Sequence, residues 1–155
     1  NGFSNSKIRT EIVFEEFLIS LKDFKNQYKL TLKLHPKEEV SSYRKYNNFI
    51  DNFSSNKNPF YSISNADLVV GLTSNILCET RLLGLPTLSL TPIKDEFLWI
   101  NSDIREYLTN INSLNDLKIY LTKFFSNEIY LQEIYLKKRK VSDCLDSILN
   151  EKIHL

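Results

Sequence analysis

Thr73, Ser74 and Asn75 form a run of three short side chains with hydroxyl and amide donors. They follow an apolar run, Leu68-Val69-Val70, closed by Gly71. Donors grouped this way suit an oxyanion such as a phosphate, and no carboxylate follows until Glu79. If a helix starts here, its unpaired backbone N–H groups and the positive end of its dipole reinforce that preference. Glu79 is four residues after Asn75 and shares its helix face, one turn further in. A carboxylate there can accept two hydrogen bonds from the hydroxyl pair of a ribose. The competing reading is modest: Ser74 or Thr73 caps the helix and Glu79 is a solvated helix residue.

His35 is the second candidate, followed directly by Pro36. Its imidazole can donate to a phosphate oxygen, and a nearby anion favours the charged ring. The competing reading is a histidine that bonds to backbone at the end of a strand. His154 lies near the C-terminal end and is given no role.

The elements that would position these residues can be read from the spacing of apolar side chains. From Asn65 to Leu90 the order is apolar run, polar turn, helix-like segment to Leu83, Gly84 as a stop, then Pro86 opening a second apolar run. This is a βαβ unit with strands buried on both faces. Tyr28 to Leu34 alternates Leu30, Leu32 and Leu34 with Lys and Thr, a strand pattern that ends on His35-Pro36. In an open parallel sheet, ligands bind beyond the carboxyl ends of the strands. His35 and the Thr73–Asn75 triplet are therefore expected at one edge, facing one pocket.

Elsewhere, residues 1–9 read as a polar turn, and Thr10 to Phe24 as a helix with Thr10 as its cap. Lys37 to Phe53 reads as a second amphipathic helix, with Pro36 suited to its first turn. A Ser/Asn-rich loop leads to Pro59–Ile63, a small strand by pattern. Thr91 to Ile100 reads as an irregular loop or short helix, and Ile104 to Ile111 as a strand or a turn of helix. Leu114 to Phe125 is a helix capped by Ser113, and Ile129 to Leu149 a last helix with Lys137–Lys140 facing outward. Such alternation predicts an α/β fold, a Rossmann-like parallel sheet flanked by helices, in a single domain spanning 1–155.

Composition narrows the function classes. The chain has 155 residues, enough for one ordinary core. Its 20 Lys and Arg against 19 Asp and Glu give no basic field for nucleic acid. Only three glycines are present, so a Gly-rich phosphate cradle is not expected and side chains must do that work. Cys78 and Cys144 are far apart in apolar segments and read as free, reduced core thiols of a cytoplasmic protein. No apolar run is long enough for a membrane span, and no cluster of residues has metal-ligand spacing. The chain opens at Asn1-Gly2, which reads as a piece of something longer. Phe97, Leu98 and Trp99 form an apolar cluster in a loop-like region. They are either core or a patch covered by a further domain.

The string His35-Pro36-Lys37-Glu38, then Ala66-Asp67-Leu-Val-Val-Gly71, Thr73-Ser74-Asn75, Glu79 and Leu83-Gly84-Leu85-Pro86 resembles the C-terminal half of GT-B-type bacterial glycosyltransferases. The likeness is to sialyltransferases and polysialyltransferases that use CMP-activated sugars. Capsule Kdo transferases and CDP-glycerol glycerophosphotransferases share the His-Pro and Ser/Thr elements. The likeness covers Tyr28 to Leu90, about two fifths of the chain.

It implies one half of a GT-B fold that binds a cytidine- or uridine-linked nucleotide sugar as substrate, with no cofactor and no metal. His35 would contact the donor phosphate and help stabilise the departing nucleotide, the catalytic role in this half. Pro36, Thr73, Ser74 and Asn75 would belong to the phosphate site, and Glu79 would hold ribose or base. Preorganised donors at a developing phosphate charge are the chemistry involved. The glycan acceptor and the general base would belong with an N-terminal domain, so this chain would bind nucleotide without catalysing alone. A cytoplasmic location, with peripheral association to the inner membrane through a part not present here, is compatible with it.

Two alternatives stand beside this one. Hydrolysing UDP-N-acetylglucosamine 2-epimerases have a similar His-Pro and Ser-x-x-x-x-Glu layout. Against them, Asn75 stands where a glycine is expected, and no Arg-rich acidic stretch follows the second strand. The other alternative is a non-catalytic nucleotide-binding or interaction module, with Lys137–Lys140 as a surface patch.

Overall fold

The computed structural model describes the backbone of residues 2–129 apart from 36, 55–59, 64, 94 and 106. The last helix expected from Ile129, together with Cys144, Lys137–Lys140 and His154, lies outside the described residues beyond its first position.

The fold is α/β with parallel strands throughout. Strand β1 (Thr31–Lys33) pairs with β2 (Asn52–Ser54), and β3 (Val69–Gly71), β4 (Thr87–Leu90) and β5 (Thr109–Ile111) form a second sheet with β4 in the middle. Registers run from Thr31 opposite Asn52, Val69 opposite Thr87, and Leu88 opposite Thr109. Helix α1 (Gly2–Leu21) and helix α5 (Leu114–Phe125) belong to one layer, and α3 (Ile76–Leu82) joins β3 to β4. Two short turns of helix, α2 (Phe60–Ile63) and α4 (Ser102–Arg105), and 3₁₀ segments at Lys22–Phe24, Val40–Tyr46 and Glu96–Trp99 complete the order among the described residues.

The central strands are covered on both faces, which is why they read as unbroken apolar runs. Val70, Leu88 and Leu90 turn toward the main core with Val13, Phe17, Leu18 and Leu21 of α1 and Leu117, Tyr120 and Leu121 of α5. Val69 turns the other way, onto a smaller cluster of Leu77, Cys78, Ile100 and Leu108. Between them, buried Ser89 donates its hydroxyl hydrogen to the Leu72 carbonyl at 2.6 Å. That bond carries the β3 chain end into the loop holding Thr73.

Gly84 ends α3 with φ at 74°, the left-handed conformation expected of a glycine stop. Gly84→Ala should lower stability by about 1 kcal/mol, because an L side chain is strained there. Urea unfolding would read this as a lower midpoint at unchanged slope; an unchanged midpoint would rule out a strained Ala.

Several sequence expectations are corrected. Residues from Gly2 onward are helical and not a turn, so Thr10 is inside α1 and caps nothing. Extending an established helix adds one hydrogen bond per residue, so a polar N-terminal stretch without proline joins readily. The expected helix over Lys37–Phe53 is a 3₁₀ segment, Val40–Tyr46, followed by a turn and then β2, which takes Phe53. Val40, Tyr43, Tyr46 and Phe49 recur every third residue, the repeat that a 3₁₀ helix aligns on one face. The small strand expected at Pro59–Ile63 is the helical turn α2, with Ile63 buried. The strand expected over Tyr28–Leu34 narrows to Thr31–Lys33, and Ile104–Ile111 divides between the end of α4 and β5.

Phe97 is half-buried against the smaller cluster. Leu98 and Trp99 are 55% and 67% exposed, so the core reading fails for these two. Arg105 fixes this segment by donating to the carbonyls of Leu98 and Ile100 at 3.1 and 2.9 Å.

Candidate functional site

Two strands deliver the candidate residues in the same way. β1 ends at Lys33 and β3 at Gly71, and His35 and Thr73 each stand two residues beyond. Both therefore leave the carboxyl ends of parallel strands, the edge where such sheets bind ligands. The strands belong to different sheets, and no hydrogen bond joins His35 to Thr73, Ser74 or Asn75.

Gly71 sets the exit of β3. A Cβ at this position would come within 3.1 Å of Leu77 Cδ2, and Leu77 is fully buried with little room to retreat. The missing side chain thus lets the start of α3 sit close against the strand it follows, turning the triplet outward.

In the triplet, Ser74 and Asn75 are exposed and Thr73 half-buried. The Ser74 carbonyl accepts the Leu77 N–H at 3.0 Å, and its hydroxyl oxygen accepts the Ile76 N–H at 3.4 Å, a long bond. The capping duty of Ser74 is consequently light, and its hydroxyl hydrogen can turn to a ligand. No hydrogen bond engages the side chains of Thr73, Asn75 or Glu79 among the described residues. Glu79 is exposed on α3, with its N–H on the Asn75 carbonyl at 3.3 Å. It shares the face of Asn75, as the spacing predicts. α3 has seven residues. Its dipole is correspondingly small, so side-chain donors must carry most of any anion binding.

Around His35 the structure adds residues that pattern reading missed. The His35 N–H donates to Glu38 Oε2 at 2.8 Å, and the Lys37 N–H donates to His35 Nδ1 at 3.2 Å. The Tyr43 hydroxyl donates to Glu38 Oε1 at 2.8 Å. Burial and the Glu38 carboxylate push the Tyr43 phenol well above its usual range, so it remains a donor. Lys33, half-buried, donates its ammonium to the Leu34 carbonyl at 3.1 Å, and Lys37 is exposed; with Glu38 and Glu39 beside them the formal charges of the turn balance. Pro36 lies outside the described residues. The signal for Glu38 was present in the sequence: an acidic residue three after a turn-starting position is the reciprocal half of a capping box.

Beside this edge, α1 and the 3₁₀ segment share an exposed polar network. Lys45 bridges the carboxylates of Glu11 and Glu15, and the Tyr46 hydroxyl donates to Glu15 at 2.7 Å. Those two donors hold the Glu15 carboxyl below its ordinary range. It fastens the 3₁₀ segment, and through Tyr43 the His35 turn, to α1.

Cys78, buried in the smaller cluster, is a free thiol whose pKa burial pushes up, which makes it a poor nucleophile. No group of three or more metal-ligating side chains converges among the described residues. Likewise, no helix among them is long and apolar enough to cross a membrane. The chain matches no protein-family model, no curated protein and no solved structure.

Proposed function

We propose that this chain is the donor-nucleotide-binding domain of a glycosyltransferase of GT-B type, taking the phosphate of an activated sugar at the carboxyl edge of its parallel strands. The observation that carries this reading is the matched delivery of His35 and the Thr73–Asn75 triplet, each two residues beyond a parallel strand end. Side chains with donors to spare favour an oxyanion there. Glu79, one turn into α3, is suited to the ribose hydroxyls, as a carboxylate accepting two hydrogen bonds. A sialic acid carried on CMP is the donor that the sequence resemblance favours. Acceptor and general base come from elsewhere in the enzyme, which works in the cytoplasm, peripherally at the inner membrane.

In chemical terms the site serves the leaving group. Negative charge grows on the phosphate oxygen as the glycosidic bond breaks, and donors already in place stabilise it without reorganising.

Calorimetric titration of the chain with CMP, CDP, UMP and UDP tests this. Binding of a cytidine nucleotide is expected, weakened about tenfold or more by His35→Ala and by Ser74→Ala, the loss of one charge-assisted hydrogen bond each. Preference for UDP would favour the epimerase-like or UDP-sugar alternative. Absence of binding in a folded sample would refute the proposal.

A further inference from the structure

The ring of His35 is oriented, and its proton is assigned by its partners. Nδ1 accepts from the Lys37 backbone N–H at 3.2 Å. A backbone amide only donates, so Nδ1 presents its lone pair and the neutral ring carries hydrogen on Nε2. Beneath the ring, the backbone is pinned from both sides. The His35 N–H reaches Glu38 Oε2 at 2.8 Å, while the Glu38 N–H returns to the His35 carbonyl at 2.9 Å. The second Glu38 oxygen is occupied by the Tyr43 hydroxyl at 2.8 Å. Tyr43 in turn meets Phe14 of α1 edge-on, with ring centroids 6.1 Å apart. A chain of contacts therefore runs from α1 through Tyr43 and Glu38 to the turn that carries the imidazole.

We infer that Glu38 and the Lys37 N–H act as a clamp that holds the His35 ring with Nδ1 on the backbone and Nε2–H as the donor at the sheet edge, which makes Glu38 a positioning residue for the phosphate contact. The identity of the ligand rests on the nucleotide-binding proposal; the tautomer and the clamp do not. A single N–H donor on a held ring reads an oxygen lone pair in a fixed direction, whereas an untethered imidazole offers its donors in many. The clamp thus gives the site a geometric requirement on where the phosphate oxygen lies. A turn cap without this role would contribute to stability while leaving ring and ligand unaffected.

Nitrogen-15 spectra of the imidazoles distinguish these cases directly. The chain has two histidines, so His154→Ala assigns the His35 signals. In the unsubstituted chain Nδ1 is expected at the unprotonated position and Nε2 at the protonated one. Glu38→Ala should move both toward the tautomer mixture of a free imidazole and weaken CMP binding about tenfold. Glu38→Gln keeps an accepting oxygen and should recover part of both effects. Hydrogen on Nδ1 of the unsubstituted chain, or nitrogen signals unmoved by Glu38→Ala, would overturn the clamp. Should CMP fail to bind while the nitrogens follow the expected pattern, the clamp stands and the nucleotide proposal falls.

Discussion

Arg9→Ala is expected to lower the stability of the fold by about 3–5 kcal/mol, the usual result of removing one partner from a buried ion pair. Arg9 pairs through its guanidinium with the carboxylate of Glu96, whose side chain is 4% exposed against 19% for Arg9. Arg9 Nε and Glu96 Oε2 are buried without hydrogen-bond partners, so the pair is incompletely solvated by protein. The guanidinium also lies over the Trp99 ring, 5.6 Å from its centroid. Truncating Arg9 leaves Glu96 buried with no partner of opposite charge among the described residues, and it removes the tie between α1 and the β4–β5 connection. An apolar replacement of both residues, Arg9→Met with Glu96→Leu, strands no charge and should recover most of the loss. Urea denaturation of the unsubstituted chain and the two variants decides the matter. A single substitution that shifts stability by less than about 1 kcal/mol would place the pair among surface bridges.

Leu88→Ala carries the second large effect, a loss of about 2–5 kcal/mol. Leu88 is the centre of the middle strand of the larger sheet, fully buried between β4 and the α1–α5 layer. Close packing on that side leaves neighbours unable to collapse into the vacated space, so a cavity term adds to the lost burial. Leu98→Ala is the matched control, because Leu98 is 55% exposed and leaves no cavity. Its change should stay within about 0.5 kcal/mol. Similar losses for the two leucines would mean that β4 is not the core strand.

The part of the fold that sequence shows most plainly is β3–α3–β4. There the apolar runs are continuous because helices cover both faces, and Gly84 at φ 74° stops the helix as its type requires. α5 is equally legible, since Ser113 accepts the Asp116 N–H at 3.1 Å as an N-cap should. Legibility fails where the repeat is ambiguous. Val40, Tyr43, Tyr46 and Phe49 satisfy a three-residue period that an amphipathic α-helix also tolerates. Phe53 shows the same limit, because one aromatic residue cannot announce a three-residue strand.

At the candidate site, residue type alone nominates His35 and the triplet, since donor chemistry is local. Glu38 and Tyr43 were missed because their importance lies in mutual contact across a turn. Trp99 illustrates a third limit. Its sequence context allowed both burial and exposure, and only the path of the β4–β5 connection decides that Leu98 and Trp99 face outward.

The most direct measurement is an amide chemical-shift map of the chain titrated with CMP and, separately, with cytidine. CMP should shift the amides of His35, Lys37 and Thr73 to Ile76, and cytidine should leave those amides in place while moving residues near Glu79. Such a pattern would put the phosphate at the two strand ends, as the proposal expects. Shifts scattered over the surface, or confined to residues remote from His35 and the triplet, would contradict a nucleotide site at this edge.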